Sequence, residues 1–386
     1  MNEIRLPVYL DYNATTPVAT EVLDAIIPYF REQYGNPSSS HSYGKAAKQG
    51  LDQAREQLAD LLGAEPTELI FTGCATESNN LALFGMAGTA PVQKRHLIIS
   101  AIEHPSVMQP VLQLQREGWE VTFAEVDQQG RIDLELFRQS LRPDTAFVSI
   151  MHANNEIGTI QPIHEISKLT RDMDIPLHVD GAQSVGKISV NVMDLGVDLL
   201  SIAGHKFYAP KGVGALYIRK GARVCPLTFG ASHERGMRPG TENMALIAGL
   251  GAAAYLAKQR LKSDNLIMKL RDRFHSLLSS SIPGLTLNGH PSERLPNTLN
   301  VSFPETDANQ LLRVIEGDVA ASLGAACHSG GHTASDVLVA IKATQDQMAG
   351  AVRFSLGEPT TETEILHAAQ AIIAGWQMLR RCSSSA

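Results

Sequence analysis

Short, mostly apolar runs alternate with helical spacings through the first two thirds of the chain. Residues 68–72, 96–100, 120–124, 146–150, 177–180 and 197–202 read as strands. Between them, residues 79–88, 105–118 and 162–174 carry helical periodicity or helix-start signals, with Pro105 and Pro162 at first-turn positions. Strand, helix and strand repeated in this way predict an α/β fold, a parallel sheet with helices on both faces. Ligands of such sheets sit beyond the carboxyl ends of the strands, so the residues just after each strand are the candidates for function. Two longer helical patterns follow at 244–258 and 264–280. After Pro283 the rhythm changes, and 285–288, 297–303 and 351–355 read as strands of a smaller α+β unit closed by an amphipathic helix over 361–380. The expected division is a large domain over 16–257 and a small one built from 1–15 and 258–386. No internal repeat is present, and the polar tail 382–386 is expected to fray.

Composition narrows the class. At roughly 150 residues per domain, 386 residues make two or three units with ample core. Lys and Arg number 33 against 40 Asp and Glu, a net charge of -7, which gives no basic face for nucleic acid. The longest apolar runs, such as 245–256, contain glycine and are too short to cross a bilayer. Cys74, Cys225, Cys327 and Cys382 are widely spaced, and no secretory apolar segment follows Met1. A reducing, cytoplasmic setting with free thiols is therefore expected.

The candidate chemistry starts at Gly204-His205-Lys206, immediately after the strand at 197–202. A lysine at a buried strand end is desolvated, which lowers its pKa and makes the amine nucleophilic; most such lysines, however, simply reach solvent. Twenty-six positions earlier, His178-Val179-Asp180 ends another strand in an acid. A lysine to hold an aldehyde and a carboxylate to keep a pyridine nitrogen protonated are what pyridoxal phosphate requires; the plain alternative for Asp180 is a cap on the following turn. Phe71-Thr72-Gly73-Cys74-Ala75-Thr76-Glu77 reads as strand, glycine turn and helix start, which aims amide N–H groups at an anion. Thr76 in that stretch is equally readable as an ordinary cap. No Walker A pattern occurs.

Taken together, these segments resemble fold-type I pyridoxal phosphate enzymes, specifically the class V aminotransferase group of cysteine desulfurases and selenocysteine lyases. The resemblance runs in order through Tyr9 to Pro17, Gly35-Asn36-Pro37, Ala75 to Asn80, Glu103-His104, Asn154 to Gly158, Asp180, His205-Lys206, Arg238 to Asn243, Gly324 to Cys327 and Arg353 to Gly357. It implies a large domain with a mostly parallel central sheet and a smaller α+β domain carrying a catalytic cysteine. By that resemblance Lys206 would bind the cofactor aldehyde and shuttle the Cα proton, and His104 would stack on the ring and assist proton transfer. Asp180 would pair with the ring nitrogen and Gln183 with the phenolic oxygen. Ala75, Thr76 and His205 would hold the phosphate. Asn13, Asn155 and Arg353 would bind substrate, Arg353 forking its carboxylate, and Asn155 would also border the cofactor. Thr241 would reach the cofactor phosphate of a second subunit, implying a homodimer.

Two departures from the family pattern are visible: Ala203 stands where a serine is common, and Gly230-Ala231-Ser232 where three glycines are common. Cys327 lies among small residues in Gly324-Ala325-Ala326-Cys327-His328-Ser329-Gly330-Gly331-His332. Such a stretch suits a mobile sulfur carrier, with His328 as the candidate proton acceptor. A lone cysteine is more often a small buried hydrophobe; the resemblance favours the nucleophile. Adjacent Cys327 and His328, with His332, lack the spacing of a metal site, and none is expected. The implied reaction converts L-cysteine to L-alanine, leaves a persulfide on Cys327 and passes the sulfur to an acceptor protein, as in iron–sulfur cluster biogenesis. Alternatives are a lyase acting on L-selenocysteine, to which Ala203 and Cys327-His328-Ser329 point, and an aminotransferase of the same fold, which would not need Cys327.

Overall fold

The computed structural model describes residues 7–263, 266–323 and 335–383. After β1 (Val8–Tyr9), the chain forms β2 (Leu69–Thr72), β3 (His96–Ser100), β4 (Glu120–Ala124), β5 (Thr145–Met151), β6 (Leu177–Asp180), β7 (Leu199–Ala203) and β8 (Gly214–Ile218). These last seven make one sheet in the order β2-β8-β7-β6-β5-β3-β4. Later come β9 (Thr286–Asn288), β10 (Thr298–Ser302), β11 (Val319–Ala320) and β12 (Ala351–Ser355). An antiparallel sheet orders them β12-β10-β9, while β1 pairs in parallel with β11.

Alternate residues of β3 pack on opposite faces, as the pleat requires. Leu97 and Ile99 join Leu81, Met86, Val107 and Val111 of helices Ala75–Thr89 and Pro105–Arg116. Ile98 turns the other way, into a cluster with Leu58, Leu62 and Leu250 of helices Ser42–Leu62 and Met244–Arg260. Burial on both faces is why the strand runs read as continuously apolar. A further cluster contains Val8, Leu10, Phe274, Val301, Phe354, Ile365 and Ile372, so the N-terminal strand packs with the C-terminal elements.

The sheet is mostly parallel, as expected, with one strand reversed. β8 runs antiparallel to both β7 and β2. Only residues 204–213 separate β7 from β8, too few for the crossover a parallel partner needs. The return therefore folds as a hairpin-like turn, and a short 3-10 turn at its start, Gly204–Lys206, holds the lysine at the sheet's edge of chemistry. At the other end of this turn a Cβ on Gly214 would lie 2.6 Å from Ile202 O and 2.8 Å from Cys74 C. Glycine thus lets the start of helix Ala75–Thr89 close onto the β7–β8 turn.

Helices Thr20–Arg31 and Ser42–Leu62 also had no counterpart among the sequence expectations. Pro28 interrupts the first, and small residues dilute the apolar stripe of the second. Those small residues are there for packing: a Cβ on Gly251 would meet Ala54 Cα at 2.5 Å, so the Ser42–Leu62 and Met244–Arg260 backbones touch.

Edge strand β2 has β8 on one side, and on the other a buried ion pair. Arg55 donates to both carboxylate oxygens of Glu234, at 2.6 and 3.0 Å, and to Leu69 O at 2.7 Å. Glu234 also accepts the Phe71 amide at 2.8 Å, and the Arg55 guanidinium lies 4.6 Å from the Phe71 ring centre. Glu234 and Arg235 both adopt left-handed backbone (φ 44° and 56°), which turns the carboxylate toward the strand. Removing one partner strands the other charge, so Glu234→Ala is expected to lower unfolding free energy by about 3–5 kcal/mol in urea titration; a loss under about 1 kcal/mol would contradict the pair's role in pinning β2.

Candidate active site

β3, β5, β6 and β7 run parallel, and β2, antiparallel to β8, points the same way. Their carboxyl ends deliver Ala75 and Thr76, His104, Asn155, Asp180 and Lys206 to one edge. Seven sequence-nominated residues, His104, Asn155, Asp180 and Lys206 with Asn13, Gln183 and Arg353, belong to a hydrogen-bonded or electrostatically linked group there.

Lys206 donates from Nζ to the carbonyls of Asn13, at 2.6 Å, and Ala14, at 2.9 Å. Burial lowers its pKa to about 8; Arg353 pushes the same way, while Asp11 and Asp180 oppose. Asp180 is buried at the end of β6. Its Oδ2 accepts from Asn79 Nδ2 at 2.9 Å, and its Oδ1 accepts from the Ala182 amide, so the capping role and a site-facing position coexist. Asn79 also donates to Ser106 Oγ, which lies 2.8 Å from His104 Nδ1. The Ser106 amide donates to that same Nδ1, leaving Nε2 as the ring nitrogen free for the cleft. Loss of water lowers the His104 pKa; Asp180 opposes and Lys206 reinforces.

Helix Ala75–Thr89 begins with Cys74, not Thr76, at its N-cap, and no side chain caps it. Its first amides are thus open to an anion, while Glu77 takes the Gly73 amide at 2.6 Å and Arg238 at 3.0 Å. His205 Nδ1 lies 3.2 Å from Thr15 Oγ1, and burial with the cations Lys206, Lys211 and Lys187 lowers its pKa to about 4.

The C-terminal elements contribute Arg353 from β12. Its Nη2 donates to Asp11 Oδ1 at 2.7 Å and its Nη1 to Asn155 O at 3.1 Å, whereas its buried Nε has no partner among the described residues. Asn155 enters through its carbonyl, which also accepts from Asn13 Nδ2. Asn13 is the hub: it bonds Thr298 Oγ1, Asn297 Nδ2, Ser355 Oγ and Gln183 Nε2 as well. Thr241 stands apart, exposed between Gly240 and Glu242, and makes no hydrogen bond to the others among the described residues. Cys327, His328 and His332 lie outside the described residues. Cys74, Cys225 and Cys382 are free thiols.

Sequence reading missed Asn79, Asp11 and Lys187. Asn79 could have been found from its position one helical turn past Thr76. Lys187 follows Gln183 by four positions, and Asp11 shares the first strand's exit with Asn13; neither spacing has a meaning until the fold brings the segments together.

Residues 8–367 match the family model of the class-V aminotransferases. The chain belongs to that family. Among class-V relatives, a cysteine desulfurase IscS of Dictyoglomus turgidum is 45% identical over 360 residues, 93% of this chain and 91% of the relative. Of solved structures, a NifS-like protein superposes with a TM-score of 0.90 at 37% identity, covering 96% of this chain and 99% of that one. The structure titled SspA in complex with cysteine gives 0.80 at 36% identity, covering 90% and 98%. The class-V cysteine desulfurases are pyridoxal phosphate enzymes. Among the described residues, no helix of this class-V chain is long and apolar enough to cross a membrane.

A lysine poised near pH 8 has a direct signature. Below that pH the amine carries a proton and is a poor nucleophile, so the rate at which apo-protein combines with pyridoxal phosphate is expected to rise through about pH 8 and then level. Stopped-flow absorbance reads it; Lys206→Ala is expected to abolish the phase, and a midpoint near 10.5 would contradict the desolvation.

Proposed function

We propose that this chain is a pyridoxal phosphate-dependent cysteine desulfurase that converts L-cysteine to L-alanine and carries the sulfur as a persulfide on Cys327. The observation that carries the reading is the convergence of a desolvated amine, a buried carboxylate on the adjacent parallel strand and an uncapped helix start at one sheet end. Those groups fit the cofactor's aldehyde, ring nitrogen and phosphate in chemical kind. The unpartnered Nε of Arg353 fits one oxygen of a substrate carboxylate.

In this reading Lys206 holds the aldehyde and afterwards carries the Cα proton on Nζ, for which a pKa near the working pH is suited. Asp180, steadied by Asn79 and the Ala182 amide, keeps the ring nitrogen protonated. Gln183 donates to the phenolic oxygen. His104 would stack on the ring, and Ala75, Thr76 and His205 would hold the phosphate, His205 as a neutral donor because of its low pKa. The bound cofactor supplies an electron sink for the substrate's Cα electrons. Arg353, Asn155 and Asn13 orient the amino acid. The Cys327 thiolate attacks the substrate sulfur: the S–S bond forms as the C–S bond breaks, and with protons returned to carbon the products are alanine and Cys327–S–SH.

The remaining elements of the proposal concern assembly and delivery. Thr241, exposed on its loop, reaches the cofactor phosphate of a second copy, giving a homodimer. An acceptor protein takes the persulfide sulfur, in a cytoplasmic setting that keeps Cys327 reduced.

Replacing the carrier separates cofactor from sulfur chemistry. Cys327→Ser is expected to keep the visible band of bound pyridoxal phosphate and to lose persulfide, read by mass spectrometry, with alanine formation down by about 100-fold or more. Normal desulfuration by this variant would overturn the carrier assignment. Parallel kcat/KM values on L-cysteine and L-selenocysteine decide the substrate; activity confined to selenocysteine would replace the desulfurase reading with a selenocysteine lyase.

A further inference from the structure

Lys187 is the one lysine besides Lys206 whose amine enters the Asn13 network among the described residues. It lies just past β6, in the turn where the Lys187 and Ile188 amides bond Ser184 O. Its Nζ donates to Gln183 Oε1 at 2.6 Å and to Asn13 Oδ1 at 2.9 Å. Asn13 Oδ1 also accepts from Asn297 Nδ2 at 3.0 Å, so both partners of that oxygen are donors, and Asn13 Nδ2 is left to bond Asn155 O and Thr298 Oγ1. The amide of Gln183 is fixed in the same manner: Oε1 faces Lys187, and Nε2 faces the Asn13 carbonyl that Lys206 also uses.

A glutamine amide has two ends of opposite hydrogen-bonding sense, and only the nitrogen end can donate. Rotated by half a turn, Gln183 would present an acceptor to whatever lies beside Lys206. We propose that Lys187 is a positioning residue that sets the amide orientation of Gln183, and with it that of Asn13, so that a donor rather than an acceptor meets the cofactor's phenolic oxygen. This rests on the pyridoxal phosphate reading above.

No carboxylate pairs with Lys187 among the described residues, and the charges that face it are Lys206 and Arg353. Burial, aided by those two cations, holds its pKa well below the usual lysine value. Toward both of its acceptors, Gln183 Oε1 and Asn13 Oδ1, the Lys187 Nζ is the donor.

The test reads the pH midpoint of the absorbance change of bound pyridoxal phosphate. A donor to the phenolic oxygen stabilises negative charge and favours the deprotonated form, so losing it raises the midpoint. Lys187→Met is expected to raise the midpoint by about one unit and to weaken pyridoxal phosphate binding about tenfold. In a Gln183→Ala background the same replacement is expected to add less than about a third of that shift, because the residue it acts through is gone. Lys187→Arg, which can only donate, is expected to hold or lower the midpoint, and it serves where the Met variant does not fold. An unchanged midpoint in Lys187→Met, an equal shift with and without Gln183, or a rise in Lys187→Arg overturns this inference alone. Wild-type protein that shows no band with pyridoxal phosphate overturns the functional reading and this inference with it.

Discussion

The desolvated amine of Lys206 is the constraint around which the rest is arranged. An ammonium wants water, and here its hydrogen-bond partners are instead the carbonyls of Asn13 and Ala14, brought from 193 and 192 positions away. The fold supplies those carbonyls by laying the N-terminal segment across the β7–β8 turn, where the Thr16 amide and hydroxyl both bond His205 O. Displace that segment and Lys206 regains water, its pKa rises toward the ordinary lysine value, and the unprotonated fraction near pH 8 falls.

The N-terminal segment is itself held by the C-terminal elements. β1 pairs with β11, the Tyr12 amide reaches Ser355 O, and Asp11 ties to Arg353. One strip of chain thus couples the strand bearing Arg353 to the turn bearing Lys206, and Asn13 at its centre touches the donors from every side. The Asp11–Arg353 pair also has a chemical consequence. It partly neutralises a guanidinium that would otherwise depress Lys206 further, and it leaves Nε open. The start of helix Ala75–Thr89 depends on a different anchor, since β2 before it is an edge strand secured by the Arg55–Glu234 pair.

Much of this was legible before the fold. Strand ends at Asp180 and Lys206 and the turn at Gly73 follow from apolar runs stopped by polar or glycine residues, a local signal. What escaped was non-local. The reversal of β8 is decided by loop length against the crossover a parallel strand needs. Helix Ser42–Leu62 is hidden because its small residues are chosen for contact with Gly251 and its neighbours. The network of Asn13, Gln183 and Lys187 joins positions whose amide orientations have meaning only relative to one another. The nomination of Cys327 rests solely on family resemblance, since no local pattern separates a carrier thiol from a buried one.

The central claim is that Lys206, not another amine at this sheet end, carries the cofactor. Borohydride reduction of the protein loaded with pyridoxal phosphate, followed by digestion and peptide mass spectrometry, fixes the attachment point. The account predicts one phosphopyridoxyl group per chain, on the peptide containing Lys206. Modification centred on Lys187 or Lys211, or none at all, would contradict it.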